Sequence, residues 1–227
     1  MSRLNNISIA SRSNRVYECT PEHTALVVID LQKEFFEAGS GQSLDDMRAM
    51  VPRAQALIEL SRQAGFRIIH TRESYQPDLS DVNDFRRSLG YVGRKEALGR
   101  FCILGEPGHE FMDAVRPMPG ETIIDKAGFS AFYNTTLDKG LRSEGIDHLI
   151  LCGVTTQCCV HSTLREAVDR GYWCLTVADC CAACEPGLHD AALSLISGEG
   201  HLFGWVADLK GVEDGVSQYL KLRTFQG

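Results

Sequence analysis

Three residues able to carry out covalent acyl chemistry occupy comparable places in this chain. A carboxylate, Asp30, closes the run TALVVID; an ammonium, Lys126, closes ETIIDK; a thiol, Cys159, follows HLILCGV in the segment Gly153 to Cys159. A carboxylate can take a thiol proton, and an ammonium can hold the resulting charges in place. Each has a bland alternative. Asp30 could cap a helix over Leu31–Phe36, Lys126 could be a solvated lysine, and Cys159 a buried structural thiol. Neighbouring Asp125 reads equally well as a turn residue. Their common position at the carboxyl ends of apolar runs outweighs these readings, because ligands of open parallel sheets bind there, at a topological switch point.

The elements that must position them are legible as hydrophobic runs. Strands are predicted over Thr24–Asp30, Phe66–Arg72, Glu121–Lys126, His148–Val154 and Tyr172–Asp179, with a sixth, short one over His201–Ala207. LVVI and LILCGV are apolar without alternation, as in strands buried on both faces. Helical patterning falls around Met47–Gln63, over Thr156–Arg170 and over Leu188–Ser197. Val160, Leu164, Ala167 and Val168 form a helical stripe that Gly171 ends. Strand, helix, strand in that order makes a βαβ unit and a parallel sheet. The fold class is therefore α/β: three αβα layers with a doubly wound, mostly parallel, six-stranded sheet. Cys159 falls in the first turn of its helix, where the helix N-terminus favours thiolate and lowers a thiol pKa.

Residues 1–20 read as a flexible polar arm and 21–227 as one domain, since no linker or repeat divides the chain. Glu73 to Gly120 is Gly- and charge-rich and reads as a long insertion near the mouth of the sheet. The net charge of -7 over 227 residues disfavours nucleic acid and anionic membrane as partners. No apolar run reaches the length of a bilayer span and no secretory signal is visible. The nine cysteines then read as reduced thiols, and the expected location is cytoplasmic.

LVVIDLQKEF, DKAGFSAFYNTTL, GVTTQCCVHSTLREAVDRGY and VADCCAA together resemble the isochorismatase-like cysteine hydrolases, from about Thr24 to Ala207. That family includes nicotinamidases, N-carbamoylsarcosine amidohydrolase, ureidoacrylate hydrolase and the biuret and triuret hydrolases. The resemblance implies Asp30 as general base, Lys126 as its electrostatic partner and Cys159 as nucleophile. Cys158, one residue off the nucleophile's place, is read as structural. A cis peptide between Val154 and Thr155 is implied, with the N–H groups of Thr155 and Cys159 as an oxyanion hole. Phe35 matches a position that walls the pocket.

Finer likeness in HTRESYQPDLSD, RFCILGEPGHEF, GETIIDK and GHLFGWV points to the biuret and triuret branch. The implied reaction is C–N cleavage of a small, uncharged linear ureide with loss of ammonia. Glu199 stands where biuret hydrolases have a glutamine, and Phe129 where they have a lysine. Both favour triuret over biuret, with Glu199, Phe129, Val154 and Thr155 touching substrate. The alternatives are another N-carbamoyl or amide hydrolase, such as ureidoacrylate or N-carbamoylsarcosine amidohydrolase, or a non-catalytic binding protein on the same fold. Isochorismatase proper is weaker, because its chemistry does not use the cysteine. His70 is alone where nicotinamidases carry a metal-binding set, and Cys180–Cys184 offers no tetrahedral site, so neither metal nor cofactor is expected. A homo-oligomer, dimer or tetramer, is implied by the family alone. His70, Arg72 and Asp78 are as well explained by structural ion pairs, and Arg165 with Asp169 by a surface pair.

Overall fold

A computed structural model describes residues 6–36, 47–185 and 187–224. The chain opens with a hairpin, β1 (Ile7–Ala10) and β2 (Val16–Cys19), antiparallel in the register Ile7↔Cys19. There follow β3 (Thr24–Ile29), α1 (Lys33–Phe36), α2 (Val51–Ala64), β4 (Arg67–Glu73) and α3 (Asp84–Leu89). A small ribbon, β5 (Lys95–Glu96) and β6 (Gly99–Arg100), precedes β7 (Thr122–Lys126), α4 (Leu137–Ser143) and β8 (His148–Val154). A π-helical turn (Thr156–Val160) runs into α5 (His161–Asp169), then β9 (Trp173–Ala182), α6 (Leu188–His201), β10 (Trp205–Ala207) and α7 (Leu209–Thr224).

The central sheet has the order β10-β9-β8-β3-β4-β7 and every pairing in it is parallel. Chain order runs outward from β3 in both directions, so the switch point lies between β3 and β8, beside Asp30 and the segment leading to Cys159. All six residues of β3 are buried, which explains its unbroken apolar run. Helices flank the sheet in three layers, α2 packing on α7 and against β4 and β9, and α5 against β9. The expected α/β architecture is the observed one.

Gly153 shows how tightly the switch point is made. Its φ is +118°, and a Cβ there would stand 2.0 Å from the carbonyl oxygen of Ile29, the residue before Asp30. Only glycine fits between these strands.

Residues 7–19 are not a flexible arm. Ile7, Ile9, Tyr17 and Cys19 are buried, and β1 lies along α7 so closely that a Cβ on Gly215 would sit 2.6 Å from the Ser8 carbonyl oxygen. Alternation in ISIA and VYEC puts one face of the hairpin on the core, and burying that face offsets the entropy of ordering it. Among the described residues no helix is long and apolar enough to cross a membrane.

Candidate active site

β3, β4 and β7 end side by side, so Asp30, Glu73 and Lys126 rise from adjacent positions of one sheet edge. Asp30 has a φ of +53° and is fully buried. Its Oδ1 accepts from the Thr71 hydroxyl at 2.6 Å, and its Oδ2 lies 2.7 Å from Lys126 Nζ. The Lys126 ammonium also donates to the Gly128 carbonyl at 3.0 Å. Burial alone would depress the Lys126 pKa, but Asp30, Cys159 and Glu73 outweigh it and hold the ammonium above the ordinary lysine range. A fully buried lysine with these partners is a fixed charge, not a solvated side chain.

The π-helical turn after β8 brings Cys159 over this pair. One carboxylate oxygen each from Asp30 and Glu73, and the Cys159 sulfur, lie within 4.8 Å of one another. Such a trio is also a conceivable cation site, but the Lys126 ammonium already supplies positive charge to Asp30 there. The turn is braced by a 2.8 Å hydrogen bond between the Thr156 hydroxyl and His189 Nδ1, and the Val154–Thr155 peptide is cis, as the resemblance implied.

The Cys159 thiol is not lowered by its helix. Its hydrogen bond with the Cys158 thiol, its burial and the charges of Asp30 and Glu73 hold it well above the usual thiol range, with Lys126 opposing them. The shared hydrogen bond acts in the opposite sense on Cys158. We assign the resting proton to Cys159, because it is the sulfur that stands against both carboxylates. A protonated thiol beside a carboxylate suits transfer during attack instead of a standing thiolate.

Above the sulfur opens a cavity of about 590 Å³. Phe35, Phe129, Val154 and Thr155, all singled out in the sequence, line it. Phe101 meets Phe35 edge-on, ring centres 5.4 Å apart, and Tyr91 lies 6.2 Å from Phe101, completing an aromatic wall. Glu199 is not on the cavity: it is exposed, in a kink of α6 where Gly198, Glu199 and Gly200 leave helical geometry. Cys158, read as structural, lines the cavity half-buried, as does Cys184. His70 and Arg72 are structural, pairing with Glu121 at 2.9 Å and Asp125 at 2.7 Å. Arg165 does not pair with Asp169; it stacks on Phe203, 3.4 Å from the ring centre.

Sequence reasoning missed Glu73, Tyr91, Arg94, Gln157 and Glu185, all on the cavity. Glu73 gave a signal, since it closes RIIHTRE as Asp30 closes its own strand.

The isochorismatase domain matches residues 24–210. The chain belongs to the isochorismatase family. It is 30% identical over 208 residues to a ureidoacrylate amidohydrolase RutB of Methylorubrum extorquens, covering 86% of this chain and 83% of that one. RutB of Pantoea ananatis is also 30% identical, over 212 residues, covering 87% and 83%. A cysteine hydrolase from Pseudomonas syringae pv. phaseolicola 1448A superposes with a TM-score of 0.80 at 28% identity, covering 88% of this chain and 95% of that one. N-carbamoylsarcosine amidase from Thermoplasma acidophilum gives 0.66 at 28% identity, covering 82% and 96%.

Proposed function

We propose that this isochorismatase-family protein is a cysteine amidohydrolase that cleaves the C–N bond of a small N-carbamoyl compound, a ureido acid in preference to an uncharged condensed urea. One observation carries the reading: a buried Asp30–Lys126 ion pair with the Cys159 sulfur held against its carboxylate, at the floor of a cavity.

The steps follow from the groups present. Asp30 takes the Cys159 proton as the sulfur adds to the carbonyl carbon, and the backbone N–H groups of Thr155 and Cys159 receive the negative oxygen. Asp30 passes the proton to the departing nitrogen, the C–N bond breaks, and a carbamoyl or acyl thioester remains on Cys159. Asp30 then accepts a proton from water as its oxygen attacks the thioester, and returns that proton to the leaving sulfur. Lys126 balances the Asp30 charge between these transfers. Glu73 accepts an N–H of the substrate.

The choice of a ureido acid rests on similarity to the ureidoacrylate amidohydrolases and on Arg94, a cation lining the cavity; its Nε and Nη2 donate to Glu96, so a substrate carboxylate would meet Nη1. Of the two residues that favoured triuret, Phe129 lines the cavity and Glu199 lies off it. The second reading, biuret or triuret, is supported by Glu73 and Glu185, two carboxylates on the cavity suited to N–H donors of an uncharged ureide. The test is amine and ammonia release from ureidoacrylate, N-carbamoyl amino acids, biuret, triuret and nicotinamide, with mass spectrometry of the trapped intermediate. Turnover of the ureido acids with an adduct on Cys159 is expected. An adduct on Cys158, or turnover of nicotinamide alone, overturns the reading.

A further inference from the structure

Between β4 and β7, the insertion buries a cation. Arg86, on α3, is 7% exposed. Its guanidinium carbon sits 3.3 Å from the centre of the Phe129 ring, and its Nη1 donates to the Tyr91 hydroxyl at 2.6 Å and lies 3.7 Å from Glu73 Oε1. Tyr91 in turn donates to Glu73 Oε1 at 2.7 Å, and the Tyr75 hydroxyl donates to the same oxygen at 3.1 Å. Burying an arginine is costly unless its charge is matched, so this constellation is specific to these partners. Two hydroxyls and one cation thus converge on a single oxygen of a cavity-lining carboxylate. The same cation backs a second cavity residue, Phe129.

We propose that Arg86 is a positioning residue of the hydrolytic site, holding Glu73 by Oε1 so that Oε2 meets a substrate N–H, and holding Phe129 as the opposing wall. The inference rests on the amide-hydrolysis reading above. It adds a residue that touches neither sulfur nor substrate.

Electrostatics give it a measurable consequence. The groups around Glu73 are Lys126, Asp30, Cys158, Cys159, Glu34, Cys102, Tyr75, Tyr91 and Arg86. Burial pushes the Glu73 pKa up, Lys126 pulls it down, Asp30 pushes it up, and the Tyr91 hydrogen bond and the Arg86 charge pull it down. Without Arg86, Glu73 gains a proton at higher pH, and a neutral Glu73 is a poorer N–H acceptor.

The experiment compares Arg86→Gln, Arg86→Lys, Tyr91→Phe, Glu73→Gln and the double variant Arg86→Gln/Glu73→Gln in the full chain. Two quantities are followed against pH: kcat/KM on whichever carbamoyl compound is hydrolysed, and the rate of Cys159 alkylation by iodoacetamide, read by peptide mass. Arg86→Gln is expected to lower kcat/KM by roughly tenfold or more, as loss of an orienting partner does, and to move its acidic limb to higher pH. Arg86→Lys should restore that limb in part. The double variant should be no slower than Glu73→Gln, the non-additivity of residues acting through one another. Losses that multiply, or an unmoved limb in a variant with wild-type Tm, overturn the proposal. Should Arg86→Gln fail to fold, Tyr91→Phe, which removes the hydrogen bond that lowers the Glu73 pKa more than the Arg86 charge does, must shift the limb in the same direction, and no shift counts against the proposal. Alkylation separates this idea from the functional reading. With no ureide turned over, the positioning role stands only if the change Arg86→Gln makes to the alkylation profile vanishes in the Glu73→Gln background.

Discussion

The floor and the wall of the cavity are made in different ways. The floor, Asp30, Thr71 and Lys126, hangs on the ends of β3, β4 and β7, and all three side chains are fully buried. The wall, with Tyr91, Arg94 and Phe101, comes from the stretch between β4 and β7, whose regular pieces are a six-residue helix, a two-stranded ribbon and short 3₁₀ turns. The floor is fixed by sheet register, where a one-residue slip would point every side chain the other way. The wall is fixed by side-chain packing among loops, which can be exchanged without disturbing the sheet. On the proposed function, chemistry sits on the part of the molecule held by sheet register, and substrate selection on the part held by loop packing.

The largest effect is expected from the floor's reacting atoms. Cys159→Ser and Asp30→Asn should each lower kcat/KM by about 10⁴-fold or more, as for nucleophiles and bases that act as a unit. Cys158→Ser should keep most of the activity. The reverse ranking in a steady-state assay would break the assignment of the nucleophile.

Next comes the register itself. Gly153→Ala places a methyl 2.0 Å from the Ile29 carbonyl oxygen and 2.7 Å from its nitrogen, so β8 must separate from β3. The expected outcome is insoluble protein or a Tm lowered by more than about 10 °C, the range of severe core disruption in a domain of this size. A well-folded Gly153→Ala protein with unchanged Tm would show that the floor is less rigid than the wall.

For the wall, Phe101→Leu removes an edge-on partner of Phe35 and Tyr91 while keeping an apolar side chain. We expect KM to rise roughly threefold to tenfold, with kcat within about threefold, since an apolar wall holds substrate and transition state equally well. A selective fall in kcat instead would place Phe101 with the chemistry.

The same division decides what the sequence could reveal. LVVI and LILCGV announce doubly buried strands because both of their faces are apolar, and the charged residues closing such runs mark the floor. Glu73 bears that mark too, at the end of RIIHTRE, but the Gly- and charge-rich stretch that follows it reads as an insertion. Arg86 and Tyr91 gave no mark, because their value lies in meeting Glu73 and Phe129, residues 13 and more positions away, through interactions that no periodicity records. The hairpin of residues 7–19 was written in the alternation of Ile7 and Ile9 with polar neighbours, yet four-residue strands among serines, asparagines and arginines are easily taken for a polar arm. Glu199 leaves the cavity for a conformational reason. The left-handed turn at Glu199 and Gly200 carries its side chain to solvent, and a sequence motif specifies the residue but not that turn.

The smallest predicted effect lies at His109, in the short 3₁₀ turn Pro107–His109 between β6 and β7. Its ring is fully buried, neither nitrogen has a hydrogen-bond partner, and the Asp125 carboxylate is 3.9 Å away, beyond hydrogen-bond distance. Burial, then the charge of Arg72, holds the His109 pKa down from its ordinary 6.5 to about 4, against the weaker pull of Asp125, Glu110 and Asp30. Because the folded value is the lower one, the unfolded chain binds more protons between about pH 6.5 and 4. Stability contributed by the neutral ring is present above that window, is lost as pH falls through it, and changes no further below it. His109→Leu keeps an apolar occupant and removes the titration, so its Tm should fall less than wild type between pH 7 and pH 4, with little difference at pH 7. Thermal melts of both proteins across that range measure it directly. Parallel curves would mean that the imidazolium finds in the folded protein a partner as good as water.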